Sequence, residues 1–354
     1  MASISVLLCF SLFLLSQPQP LLSLNSSPYP YFSSTTTLLN YQKMLHKLKV
    51  FIYKPNTPFH YATPAESLFY AALEKSHFVT HDAREAHLFF VPFPPDISTR
   101  SLARLIGTLR ADFPYWNRAL GADHFFLSCA GVGRDSNRNV VELRKNSIQI
   151  SCFPASRRND DDGGYFFIPH KDVTLPPPIA DKTHAPANVT ARFLGYARHG
   201  AVTTASLVAE LVNDAEFLIE TEPSDGVTYG ERLSSSKFCL FEYWNDVSWI
   251  GEALRFGCVP VVIADRPVND LPFMDVLRWQ EMAVFLRSGG GVRELKHVLN
   301  DDTWRDRHEY VRGLGVAASR HFLWDEESQP FDAFNTVMYQ LWLRRHTIRY
   351  ARAE

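Results

Sequence analysis

Charge is absent from the first 42 residues; Lys43 is the first charged side chain in a chain of 354. The apolar run inside that stretch is short as well. Ile4 to Leu15 is followed by Ser16-Gln17-Pro18-Gln19-Pro20, and about twelve helical residues rise roughly 18 Å against a hydrocarbon core of roughly 30 Å. That length argues against an ordinary membrane span and fits the apolar core of a signal peptide. With Leu21, Leu22 and Leu24 added it becomes a short uncleaved anchor. The prolines disfavour one buried helix through the segment. Residues 1–24 are therefore expected to be a signal peptide or short signal anchor and 25–46 a stem. The folded part then sits in the secretory pathway, membrane-anchored or secreted.

Other absences narrow the class further. The formal net charge is −2, from 36 basic and 38 acidic side chains, so no positive field exists to hold nucleic acid. Five cysteines include no Cys-x-x-Cys pair, which argues against zinc. Setting Cys9 aside, Cys129, Cys152, Cys239 and Cys258 permit two disulfides in any of three pairings; four buried thiols is the other reading. Nothing repeats at a fixed short period. Two N-glycosylation sequons, Asn25-Ser26-Ser27 and Asn188-Val189-Thr190, agree with a lumenal setting.

What is present is a globular composition, 46% hydrophobic and 21% charged, arranged as alternating strand and helix patterns. Strands are expected at Val50–Tyr53, Leu88–Pro92, His124–Ser128, Ser147–Cys152, Arg192–Tyr196, Glu216–Ile219, Phe238–Phe241, Val259–Ala264 and Met282–Leu286. Helices are expected at Ala65–Ser76, Thr99–Ala111, Thr203–Leu211, Trp249–Phe256, Val292–Leu299, Trp304–His321 and Phe331–Arg345. Runs such as His-Leu-Phe-Phe-Val-Pro are apolar throughout, as in parallel strands covered by helices on both faces. The proline-rich stretch Pro176 to Pro186 lacks periodicity and reads as a linker. The layout is an α/β chain of two Rossmann-like domains facing a cleft. A first domain spans 47–178, a linker 179–187 and a second domain 188–325. Residues 326–354 form a helix packing back on the first.

The segment richest in chemistry runs from Ser236-Lys237-Phe238-Cys239-Leu240-Phe241 through Trp244-Asn245-Asp246-Val247-Ser248 to Trp249-Ile250-Gly251-Glu252-Ala253, then Gly257-Cys258-Val259-Pro260-Val261. It reads strand, polar loop, helix, glycine stop, strand. A loop and helix start present backbone N–H groups to a diphosphate, here at Asp246, Val247 and Ser248. Glu252, about one turn in, is placed to accept both hydroxyls of a ribose, as acids do in dinucleotide sites. The bland alternative is a plain strand–helix–strand unit with a solvated Glu252.

This segment resembles the signature of the exostosin-like glycosyltransferases, in the style of the plant cell-wall branch. The resemblance continues upstream in Glu85-Ala86-His87-Leu88-Phe89-Phe90-Val91-Pro92, Pro114-Tyr115-Trp116-Asn117-Arg118, Asp123-His124-Phe125-Phe126 and Pro169-His170-Lys171-Asp172, and downstream in Asp270-Leu271-Pro272-Phe273. It implies a GT-B architecture, with an acceptor-binding first half and a donor-binding second half. It also implies a uridine-diphospho-sugar donor, a glycan acceptor, and inversion with neither metal nor other cofactor. Association with other glycosyltransferases in a complex is compatible with it.

One position departs from the family pattern: Trp249 stands where an Arg is usual, three residues before Glu252. Arg192, Arg198 and Lys237 are the substitutes expected to meet the diphosphate. Inversion needs a general base, and five residues are candidates. Glu66 competes with a role in the capping box Thr63-Pro64-Ala65-Glu66. Asp123 and His124 open a strand and so stand at its wrong end if the sheet is parallel. His170 and Asp172 lie in the loop before the linker, expected to face the cleft. Asp160-Asp161-Asp162 resembles a manganese-binding Asp-x-Asp but sits among loop formers and is read as a solvated surface turn. A transferase is thus expected. A non-catalytic transferase-like subunit of a synthase complex is the alternative that Trp249 motivates, and a secreted lectin-like protein is a weaker third.

Overall fold

Short strands, apolar on both faces, build two parallel sheets. The computed structural model describes residues 30–33, 36, 38–55, 57–133, 135–155, 167–179, 190–198, 206–220, 228–243 and 245–350, with side chains to 345. The expected leader, the first sequon, Asn188 and Val189 of the second, the Asp160–Asp162 run, Trp244 and most of the expected linker lie outside these residues.

The first sheet contains β1 Val50–Ile52, β2 Leu88–Phe90, β3 His124–Leu127, β4 Ile148–Cys152 and β5 Val173–Leu175, lying side by side in chain order. The second contains β6 Phe193–Ala197, β7 Phe217–Ile219, β8 Ser236–Glu242, β9 Val259–Ile263 and β10 Val284–Leu286. Its spatial order is β10-β9-β8-β6-β7. Every paired neighbour is parallel. Helices fill the connections: α1 Leu38–Lys47, α2 Pro64–Lys75, α3 Thr99–Asp112, α4 Pro114–Ala119, α5 Arg138–Asn146, α6 Tyr229–Ser234, α7 Ile250–Arg255, α8 Gly291–Leu299, α9 Trp304–Ala318 and α10 Ala333–Tyr350. Helix-covered parallel sheets bury strands completely. Phe89, Phe126, Ile106 and Leu143 fill one core; Val208, Leu240, Val261 and Leu295 fill the other. This is the two-Rossmann, GT-B-type arrangement expected from the sequence.

Strand order matters for function. In the second sheet the chain goes from β6 outward to β7, then returns to β8 on the opposite side of β6. That reversal opens a crevice beyond the carboxyl ends of β6 and β8, where open α/β sheets bind ligands. The described strands of the first sheet follow one another without reversal and open no such crevice.

Three expectations need correcting. The described residues between 31 and 46 are not a free stem. Tyr31 and Phe32 are buried, Phe32 bridges Leu277, and α1 buries Tyr41 and Met44. Strand β5 was not expected, because three residues before a proline run carry little periodic signal. The helix expected at Thr203–Leu211 is a short 3-10 turn, Val208–Leu211, in its described part.

The four cysteines pair as Cys129–Cys152 and Cys239–Cys258. The first joins the ends of β3 and β4; the second joins β8 to the turn that begins β9. Gly257 ends α7 at φ +74° with the Arg312 side chain against it, so glycine is needed there for both conformation and space.

Candidate functional site

The crevice at the strand reversal is lined from three sides. Arg198 follows directly on β6, Ser248 belongs to the loop after β8, and Glu252 lies in the first turn of α7. They border a cavity of about 190 Å³ whose opposite wall is Pro177, Pro178 and Ile179, the chain just leaving β5. The carboxyl edge of the second sheet therefore looks across a gap at the carboxyl end of the first. Arg198 Nη1 stands 3.7 Å from Glu252 Oε2, and its guanidinium lies over the Tyr229 ring at 5.2 Å. Burial first, then the Glu252 carboxylate, push the Tyr229 hydroxyl up and keep it protonated. Tyr196 donates to Glu220 at 2.9 Å, and Arg232 pairs with the same Glu220, completing a polar floor at the ends of β6 and β7.

Hydrogen bonds pin the loop from Asp246 to Trp249. Asp246 Oδ1 accepts from the Ser248 amide at 3.1 Å and the Ser248 hydroxyl at 2.7 Å. Val247 is buried and its carbonyl takes the Ile250 amide. Trp249, where the family pattern has Arg, points into the core. It is 2% exposed, packs on Phe241 and Tyr196, and its indole N–H holds the Asp246 carbonyl at 3.0 Å. At this position the chain therefore carries a side chain that fixes the loop instead of a cation.

The remaining diphosphate candidates are not beside Arg198. Arg192 precedes β6 and Lys237 opens β8; both are exposed at the amino edge of the sheet. From Arg192 to Arg198 is six residues of extended chain, roughly 20 Å. Strand polarity was the missed signal: in a parallel sheet, residues ahead of a strand stand away from the carboxyl-edge crevice.

None of the five base candidates lines this cavity. Asp123 and His124 open β3 at its amino end and are buried. Asp123 is held by Arg118 at 2.9 Å and by His124 Nδ1 at 2.8 Å, while His124 Nε2 meets the Tyr53 hydroxyl at 2.9 Å. Burial pushes His124 down and keeps it neutral. Asp172 lines, with His170, a cavity distinct from the one beside Glu252. Its oxygens accept from the Gln149 amide at 2.9 Å, the Ile168 amide at 2.7 Å and the Lys171 ammonium, clasping the loop below β5. His170 is exposed at φ +66° in that loop, beside a separate cavity of about 130 Å³ shared with Asp275 and Arg344. Five extended residues, roughly 16 Å, separate Asp172 from Pro177. Glu66 reaches the carboxyl edge, but both oxygens are committed. One takes the Cys129 amide at 2.8 Å; the other takes the Thr63 amide and hydroxyl at 3.1 and 3.0 Å.

Sequence reasoning passed over Glu242. It closes β8 with 1% exposure, and accepts from the Val208 amide at 3.3 Å and the Asn245 side chain at 3.0 Å. Burial pushes its carboxyl up, partly offset by Ser206 and the amides it holds. It joins the segment after β6 to the loop after β8, the two walls of the crevice. An acid ending an otherwise apolar strand was the visible signal.

Residues 44–301 match the model of the exostosin GT47 domain. The chain belongs to that family. As a GT47 chain it is a glycosyltransferase. A probable glycosyltransferase of Arabidopsis thaliana, At3g07620, is 27% identical over 91% of this chain and 73% of its own length. A second from that plant, At5g25310, is 27% identical over 90% and 72%. The probable β-1,4-xylosyltransferase IRX10 of Arabidopsis thaliana is 26% identical over 82% and 81%. Among solved structures, the GtfA/B complex aligns loosely, with a TM-score of 0.36 at 9% identity over 70% of this chain and 60% of that one. The architecture of the GT47 chain is accordingly read from its own strand order. Among the described residues no group of three or more His, Cys, Asp or Glu could hold a metal ion, and no helix is long and apolar enough to cross a membrane.

Proposed function

We propose that this GT47 chain moves one sugar from a uridine-diphospho donor to a polysaccharide or glycoprotein glycan, with inversion and without a metal or other cofactor. One observation carries the reading: Glu252, Arg198 and Ser248 share a cavity at the strand-reversal crevice, closed from across the gap by Pro177–Ile179. Glu252 accepts the two ribose hydroxyls. Its ion pair with Arg198 is long enough to open, so the guanidinium turns to the diphosphate and stabilises charge on the leaving group. The acceptor approaches from the first half, across the gap. The two disulfides suit an oxidising compartment, and the setting we assign is the Golgi lumen, by way of a leader in residues 1–24. Assembly with other glycosyltransferases is compatible with the same reading.

The test is calorimetric titration of uridine diphosphate into the purified chain and into Glu252→Ala. Losing a charged hydrogen-bond acceptor for the ribose should weaken binding about 10–100-fold with the melting temperature nearly unchanged. Equal affinity in a folded Glu252→Ala protein removes the ribose assignment. Absence of binding by any nucleoside diphosphate favours a non-catalytic subunit.

A further inference from the structure

The side-chain donors around the Arg198–Glu252 pair are mostly committed elsewhere. The Tyr196 hydroxyl goes to Glu220 at 2.9 Å, the Ser248 hydroxyl to Asp246 at 2.7 Å, and the Trp249 indole to the Asp246 carbonyl at 3.0 Å. Tyr229 is the exception among the described residues. Its hydroxyl is buried and makes no hydrogen bond of normal geometry. It nevertheless lies close enough to Glu252 for the carboxylate, after burial, to hold its proton on. The ring itself is firmly placed. Tyr229 opens α6, whose start is fixed by a capping box in which Thr228 and Glu231 take each other's amides at 3.4 and 3.2 Å. A Cβ on Gly230 would come within 2.6 Å of the Phe256 ring, and Phe256 caps α7, the helix that carries Glu252. Tyr229 and Glu252 are thus held in one framework. The Arg198 guanidinium lies between them, 5.2 Å from the ring centre and 3.7 Å from the carboxylate.

We propose that Tyr229 is a positioning residue whose hydroxyl takes over the Glu252 carboxylate when Arg198 leaves it for the diphosphate. The inference rests on the donor reading above and deepens it. Turning Arg198 away strips a largely buried carboxylate of its cation, which is unfavourable unless other donors arrive. The ribose hydroxyls meet part of that need. Tyr229 meets the rest from the protein side: the carboxylate, released by Arg198, closes on the phenol and accepts its hydrogen bond. Each carboxylate oxygen accepts more than one donor, so the phenol joins the ribose and does not displace it. No proton is transferred, and the phenol stays neutral throughout. An unspent hydroxyl in the unliganded chain is what this exchange requires, because a donor already bonded has nothing to give.

A double-mutant cycle on Tyr229→Phe and Arg198→Ala tests it. In the parent, Tyr229→Phe removes a buried hydroxyl that bonds to nothing, so the melting temperature should hold or rise slightly. On the Arg198→Ala background the carboxylate has already turned to Tyr229. There the same change should lower the melting temperature by about 2–6 °C. Calorimetric titration of uridine diphosphate should find Tyr229→Phe about tenfold weaker than the parent. That loss should shrink to about twofold or less on the Arg198→Ala background, where the hydrogen bond is present before and after binding. Equal nucleotide affinity of parent and Tyr229→Phe overturns the proposal. So does an equal melting shift on both backgrounds, which would mean that the exchange between Arg198 and Tyr229 does not occur. If uridine diphosphate fails to bind the parent, the donor reading falls, and the two melting shifts still decide whether Tyr229 takes over Glu252.

Discussion

Glu242 shows how much one buried side chain can organise. Its carboxylate receives donors from both crevice walls, so replacing it with leucine strands those donors without removing any contact to substrate. Glu242→Leu should cost about 2–4 kcal/mol in chemical unfolding and raise the donor KM more than it lowers kcat. A loss confined to kcat would remove this positioning role. His321 offers a cleaner electrostatic test. Fully buried, it donates from Nδ1 to the Phe331 carbonyl at 2.6 Å, and burial pushes it from 6.5 to about 3. Between those values the unfolded chain binds a proton that the folded chain does not. Stability therefore rises with pH across the window, by up to about 1.4 kcal/mol per unit, and levels off above it. Denaturant midpoints of parent and His321→Gln should differ by an amount that grows between about pH 4 and pH 6 and is flat above about pH 7. A difference independent of pH would mean that folding leaves the proton affinity of the imidazole unchanged.

Elements differed in how clearly the sequence announced them. Helix α2 did so in full: Thr63, Pro64 and Glu66 form the expected capping box, and the structure adds a third bond from the Cys129 amide to Glu66. Thr63→Ala should cost about 1 kcal/mol, the ordinary worth of a cap, and Glu66→Ala distinctly more because a partly buried amide at the end of β3 loses its acceptor as well. Equal costs in urea titrations would show that the cross-link contributes nothing. Helix α7 and its Gly257 stop were equally legible, since strand, loop, helix and turn follow within one short segment. Strand β5 and helix α1 were not. Each owes its stability to partners distant in sequence: β5 to pairing with β4, and α1 to Tyr339 and Trp342, which bond Asn40 at 3.1 and 3.0 Å. Local propensity is weak for such pieces, and tertiary packing decides them.

At the scale of the molecule, α10 holds the halves together. Arg344 is buried and donates to the carbonyls of Lys171 and Asp172, each at 3.0 Å, in the first half and to Asp275 at 2.7 Å in the second. Arg344→Ala should cost about 3 kcal/mol or more, because Asp275 is left without its guanidinium. Arg344→Lys should recover little, since one ammonium cannot replace a fork with four acceptors, the Gln340 carbonyl at 3.1 Å being the fourth. Full recovery by lysine would make the charge, not the geometry, responsible. Asp270 adds a second tie, accepting from the Ala155 amide at 2.8 Å and from Tyr243. Such links are invisible to pattern reading. What could be read along the chain was everything that depends on neighbours: the alternation of elements, the family, the Glu252 segment, the cap on α2. Which candidates meet was settled by direction and distance in space. Arg192, Arg198 and Lys237 look alike as cations near strands, yet only Arg198 follows its strand and so stands on the carboxyl edge, where Pro177–Ile179 arrives from the other half to close the cavity over Glu252. Strand polarity and the return of the chain across the gap are properties of the packed fold, and no local run of residues contains them.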